Sequence, residues 1–256
     1  MKKLLYLMIA CPILSYGQDT AVQMNIDSAN LYMIQAQNQM QQVNSEEALK
    51  SFRRAAELQP DNAEAYVGWF QVCMGTEQVE EASKAIESWI VHNPSDTQAW
   101  LYKGFLDAAL KRPEEALKAF DTLIKLQPEE ASNYVGRGQM LYELERYEEA
   151  LEAFDKSVSM DSSRTDVMGM KTSALARLGR YDEALSSVNK ALELSPDDAG
   201  SIYNRACIYC LKGDKENALA GLKKAISLEA SIKEYARTDE DFKGLYDNED
   251  FINLTK

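Results

Sequence analysis

The chain is poor in the residues that most active sites need. A single histidine, His92, serves all 256 residues. That excludes a histidine-based metal cluster and leaves any serine or cysteine nucleophile with one possible imidazole base. His92 itself, in "IVHNPSD", reads as the last turn of a helix, where an imidazole faces the negative end of the dipole. Positive charge is also short, with 28 Lys and Arg against 41 Asp and Glu and a net charge of −13. Such a surface repels phosphate backbones and anionic lipid, so nucleic acid is excluded as a partner. There is no glycine-rich phosphate loop and no basic patch interleaved with aromatics. Among the four cysteines, Cys207 and Cys210 form "CIYC", but inside a helical pattern and without the preceding strand of a thioredoxin-like motif. Two readings remain open for that pair, buried thiols or an intrahelical disulfide in an oxidising compartment. No cofactor, metal or catalytic residue is expected.

No apolar run is long enough to span a bilayer. The first residues, "MKKLLYLMIACPILSYG", instead join a basic start to an apolar run from Leu4 to about Leu14, followed by small residues at Ser15 and Gly17. That is the pattern of a cleaved signal peptide over residues 1–17, with Gln18 first in the mature chain and 18–28 as a linker. Loss of Lys2 and Lys3 would take the net charge from −13 to −15. The competing reading is a lipoprotein signal with Cys11 lipidated after "LMIA". Either places the protein in an exported compartment, the periplasm or cell envelope of a bacterium, with no integral span after cleavage.

What the chain has in abundance is one helix written repeatedly. "SEEALKSFRRAAELQP", "PEEALKAFDTLIKLQP", "YEEALEAFDKSVSMDS" and "YDEALSSVNKALELSP" are near-copies. Aligned on alanine, the register runs Ala48, Ala82, Ala116, Ala150, Ala184, Ala218, with one and the same interval throughout. Four residues later stands an apolar side chain: Phe52, Ile86, Phe120, Phe154, Val188, Leu222. Sixteen earlier is an aromatic or large apolar residue, from Tyr32, Tyr66, Trp100 and Tyr134 to Met168 and Ile202. Twelve earlier is a small one, Ala36, Gly104, Gly138, Thr172 and Ala206, with Phe70 the exception. Proline closes four copies, at Pro60, Pro94, Pro128 and Pro196. Apolar spacings of three and four mark two helices per copy, and proline ends the second because it cannot continue it. A single pair cannot bury its stripe, whereas stacked neighbours bury a continuous one.

This order of aromatic, small residue, alanine, aromatic and proline, repeated with a period of about 34 residues, resembles the tetratricopeptide repeat family. The resemblance implies an all-α, right-handed solenoid of six helix pairs, at 29–62, 63–96, 97–130, 131–164, 165–198 and 199–232. Gln35 and Gln39 make the first copy the weakest match. Residues 233–256, "IKEYARTDEDFKGLYDNEDFINLTK" from Ile232 on, look like the capping helices that close such proteins, with Tyr235, Phe242, Leu245, Phe251 and Leu254 spaced to cover the last pair.

In this family the first helix of each pair lines a concave groove. Side chains there that packing does not require are the candidates for binding: Val67, Gln71, Met74, Leu101, Phe105, Val135, Gln139 and Tyr142, with Met33, Gln37, Met40, Ser173, Tyr203 and Cys207 around them. They are apolar or neutral, and lack the lysine and asparagine pattern of carboxylate-clamping relatives. The expected partner is a protein or peptide with an apolar or amphipathic segment. A second feature is a ladder of cations, Lys103, Arg137, Lys171 and Arg205, which recurs with the period of the repeat. It either pairs with acids such as Glu115, Glu149 and Glu183 or reads acidic side chains of a partner. The sequence thus points to a non-enzymatic interaction scaffold. The rivals are a chaperone-like holder for envelope proteins and, remotely, an enzyme using groove carboxylates or the cysteine pair.

Overall fold

The computed structural model describes residues 13–256, with side chains from Thr20 onward apart from Ala21. Cys11 and most of the leader therefore lie outside the described residues. Within them the chain is all helix, and the helices come in consecutive pairs. The pairs are α1 (Ile13–Gln41) with α2 (Ser45–Leu58), α3 (Ala63–Gly75) with α4 (Val79–His92), and α5 (Thr97–Ala109) with α6 (Pro113–Leu126). Then come α7 (Ala131–Glu143) with α8 (Tyr147–Met160), α9 (Thr165–Arg177) with α10 (Tyr181–Leu194), and α11 (Ala199–Leu211) with α12 (Lys215–Leu228). A short α13 (Ile232–Ala236), a 3-10 turn (Glu240–Leu245) and α14 (Glu249–Thr255) end the chain. Two compact units divide at Lys103 and Gly104, within α5.

Each second helix starts for the same reason. Acids open it, two in five copies, as at Glu46-Glu47, Glu80-Glu81, Glu114-Glu115 and Glu148-Glu149, and Glu216 alone in α12, where the free N–H groups favour negative charge. Caps add to this: Asn44 Oδ1 accepts from the Glu47 N–H, Asp214 Oδ1 accepts from the Asn217 N–H at 3.1 Å, and Pro113 occupies the first turn of α6. The turn within each pair needs one left-handed residue, and the six are Val43, Glu77, Lys111, Glu145, Gly179 and Gly213, one to each copy in the same register. Only the last two are glycine. Val43 is the costliest, because a β-branched side chain at φ 60° meets its own carbonyl. It is 86% exposed, so it gains no packing in return. Val43→Gly is expected to stabilise the first unit by ~0.5–1 kcal/mol, the left-handed penalty less glycine's extra freedom when unfolded. Denaturant midpoints of the two chains would check it.

Packing across pairs and within them rests on large-on-small contacts. In the first unit Phe52 lies against Gly68 so closely that a Cβ there would sit 2.3 Å from its ring. In the second, Phe120 does the same to Gly136, at 2.3 Å, and Phe154 to Gly138, at 2.5 Å. The exceptional Phe70 is accommodated because its own second helix offers Ile86 instead of phenylalanine, and its ring meets Tyr102 edge-on at 4.9 Å. Tyr66 stacks on Trp89 at 5.8 Å and completes the first unit's aromatic core.

Residues 18–28, expected as a linker, are helical and continuous with α1. From Gln18 to Gln41 no proline or glycine interrupts the chain, and alanine, methionine, glutamine and leucine sustain a helix. In the same helix Gln39, which broke the apolar pattern, accepts a hydrogen bond from Ser51 at 2.9 Å. Among the described residues no helix is long and apolar enough to cross a membrane.

Candidate functional site

The first helices of the second unit build a concave pocket of about 410 Å³. Ala108 of α5 stands on one side, Gln139, Met140, Tyr142 and Glu143 of α7 in the middle, and Met170 and Ser173 of α9 opposite, with the Phe154 ring as its floor. Its polar groups are held in place. Gln139 Nε2 donates to the Met170 sulfur at 3.6 Å, and the Tyr142 hydroxyl accepts from Arg177 Nε at 3.3 Å while its ring meets Tyr147 edge-on at 5.2 Å. Phe105, one turn before Ala108 on α5, is 60% exposed, and its ring is fixed edge-on against Phe120 at 6.0 Å. These are fixed apolar surfaces with a few hydrogen-bonding groups and one exposed carboxylate, Glu143, which suit a segment of another chain.

The first unit carries a separate pocket of about 570 Å³ between α1 and α3. Met33, Gln37 and Met40 line one wall, Val67 and Gln71 the other. Methionine gives such a wall an adaptable surface. Met74 is exposed but lies outside this lining, and Leu101 is half-buried on α5.

Three sequence expectations need correction. Val135 is 7% exposed and sits among buried Asn133, Gly136 and Gly138 on the packed face of α7, so it supports the wall and cannot anchor a partner. Tyr203 and Cys207, expected on an open groove, are covered by the chain's own cap. The Tyr203 hydroxyl donates to Asp239 at 2.5 Å, Cys207 lies 4.0 Å from the same carboxylate, and Phe242 is fully buried 5.5 Å from the Tyr203 ring. The cation ladder does pair with acids, but other ones. Arg137 meets Asp121 at 2.9 Å and Lys171 meets Asp155, both acids standing on the preceding second helix. Glu149 and Glu183 are instead held by Arg146 and Arg180. Arg205 has only the neutral Asn189 at the equivalent place, 3.2 Å away.

The groups that could have carried chemistry have structural tasks. His92 Nδ1–H donates to the Ser88 carbonyl one turn back, at 2.8 Å. Cys73, Cys207 and Cys210 are free, buried thiols. Burial pushes Cys73 up to about 11 and Cys207 well above the ordinary thiol value, and the Asp239 carboxylate adds to the latter, so neither forms a thiolate near neutrality. Cys207, Asp239 and Asp241 present ligand atoms within 4.8 Å of one another. Two of the three are already engaged, Asp239 by Tyr203 and Asp241 by Arg177 at 3.1 Å. Burial raises the Asp241 carboxyl above its ordinary value, and Arg177 opposes that shift. The cluster latches the cap onto α11 and α9, a role invisible from the sequence because Arg177 and Asp241 lie far apart along the chain and outside any shared register.

Models of the tetratricopeptide repeat match residues 39–104, 106–165, 166–198 and 188–220, together well over half of the chain. Among solved structures the chain is similar to a tetratricopeptide repeat protein from Parabacteroides merdae, at 20% identity over 90% of this chain and 98% of that one, with a TM-score of 0.64. It is also similar to YrrB, described as a TPR protein with an unusual peptide-binding site, at 23% identity over 75% of this chain and 100% of that one, TM-score 0.59. Pseudomonas aeruginosa pilF resembles it at 17% identity over 86% and 96% of the two chains, TM-score 0.59. At these identities the likeness is one of fold. Among curated proteins none matches by sequence.

Proposed function

The chain belongs to the tetratricopeptide repeat family, and on that premise we propose that it is a non-enzymatic scaffold whose first helices hold an apolar or amphipathic segment of a protein partner. The observation that carries this reading is the second unit's pocket. Its lining is largely apolar, its polar groups are glutamine, serine and tyrosine with a single carboxylate, Glu143, and the nearby Phe105 is exposed without being loose. An amphipathic helix or extended segment can place its apolar side chains there, while the glutamine meets its polar groups without demanding a charge. That YrrB is described as having a peptide-binding site agrees with such a use of the fold. The basic, apolar leader supports export to a bacterial envelope as the setting.

A photoreactive residue at Gln139 tests both the site and the kind of partner. Gln139 is exposed on the pocket wall, and Glu152 is exposed on the second helix α8. Crosslinking in an envelope extract is expected to trap one stoichiometric protein from position 139 and nothing comparable from position 152. Many unrelated proteins trapped at 139 would favour the chaperone-like holder. Equal trapping at both positions would remove the groove from the account.

A further inference from the structure

The first helix exposes large apolar side chains where the repeat elsewhere buries its own. Leu31 stands one full repeat before Ala65, and the same register continues at Ala99, Asn133, Val167 and Ser201. Those five are 0%, 0%, 3%, 0% and 3% exposed, whereas Leu31 is 55% exposed. Met24 and Ile34, at 68% and 57%, extend its stripe, since steps of seven and three return to one helical face. In the later pairs this is the face that meets the second helix of the pair before. Among the described residues no helix covers it in α1.

We propose that the α1 face is a dimer interface and that its occupant is the same face of a second copy of this chain. Charge is the first reason. Among the described side chains of α1 the only charged one is Asp27, in a chain of net charge −13, so each copy brings a single carboxylate to this contact, and that one already accepts a hydrogen bond from Gln23 at 2.9 Å. Length is the second. Even counted from Gln18, the expected first mature residue, α1 spans 24 residues to Gln41 where the other first helices have 13. Its first half therefore runs on before the part that pairs with α2, carrying Val22 and Met24 into solvent. An isolated helical extension is marginal in water and needs an apolar face to lie against. Two α1 helices crossing antiparallel about a two-fold axis between residues 27 and 28 would supply it, setting each Met24 against the other copy's Leu31. The third reason concerns the alternative of head-to-tail stacking. The last pair is already covered by its own cap, with Ile232, Ala236 and Phe251 buried beside Leu222 and Ala225, so it offers no complementary end. With that end closed, α1 against α1 is the contact that closes after two.

Sedimentation velocity of the full chain tests this, and wild type is expected to run as a dimer at micromolar concentration. The double substitution Leu31→Asp, Ile34→Asp should raise the dimer dissociation constant at least a hundredfold with helix content and melting unchanged, since both side chains are exposed already. Val91→Asp, on α4 and more exposed still at 75%, should leave the dimer intact. Asp27→Cys, near the proposed axis, should form an intermolecular disulfide on mild oxidation, which Val91→Cys should not. A monomeric wild type, or a dimer that survives the double substitution, overturns the proposal. So does a photoreactive residue at Ile34 that captures a different protein while the chain stays monomeric.

Discussion

Gly136→Ala is expected to destabilise the second unit by ~2 kcal/mol, although alanine is the better helix former. Helix propensity alone predicts the opposite, a gain of up to ~1 kcal/mol in the middle of α7. Packing decides the sign, because the added Cβ would lie 2.3 Å from the Phe120 ring, and that ring has backbone beneath it at Gly104 as well. Something must shift, and overpacking a dense core costs ~1–3 kcal/mol before the propensity gain is returned. The chain contains its own control. A Cβ at Gly169 meets nothing closer than Asn204 Nδ2 at 3.5 Å, so Gly169→Ala should gain where Gly136→Ala loses. The loss at 136 should also shrink when Phe120 is replaced by isoleucine, the residue that the second copy has at that position as Ile86 and that coexists there with the bulky Tyr102. Denaturant melts of the four chains give the coupling directly.

That contact shows why the helix pairs were legible in the sequence. The large residue and the small ones that receive it keep a constant separation along the chain, across pairs and within them, so the packing rule recurs in each copy and writes itself into the register. The same logic holds for Arg137 with Asp121 and Lys171 with Asp155, which share one separation. Those acids could have been found by asking which charge shares the cation's period, and proximity to the start of the second helix pointed to Glu149 and Glu183 instead. The left-handed turn residue was harder, because Val43, Glu77, Lys111 and Glu145 occupy it without glycine. Only alignment with Gly179 and Gly213 reveals the shared backbone demand.

Elements outside the repeat were less legible. Nothing periodic relates Asp239 to Tyr203 or Asp241 to Arg177, so the cap could be expected to cover the last pair but not to occupy the first-helix surface of α11. Val135 was misplaced for a related reason. On one face of a helix a valine that packs and a valine that waits for a partner have the same spacing, and only the neighbouring elements distinguish them. The helical run through residues 18–28 was missed because its apolar side chains face solvent, which leaves no amphipathic period to detect.

The binding claim is tested most directly at Phe105. It is the large aromatic that the wall leaves 60% exposed, and its edge contact with Phe120 holds the ring before any partner arrives. A partner covering it would bury that area at little cost in side-chain ordering, the condition under which one aromatic anchor carries ~2 kcal/mol. The same exposure means that its truncation leaves little void in the unit. The decisive measurement is the dissociation constant of the protein trapped at Gln139, for wild type and for Phe105→Ala. The expected result is weakening of more than tenfold, the equivalent of at least ~1.4 kcal/mol, with helix content and melting unchanged and Glu152→Ala binding normally. The opposite pattern, normal binding by Phe105→Ala and none by Arg205→Glu at the rung whose neighbour Asn189 is neutral, would show that the partner is acidic and is read by the cation ladder.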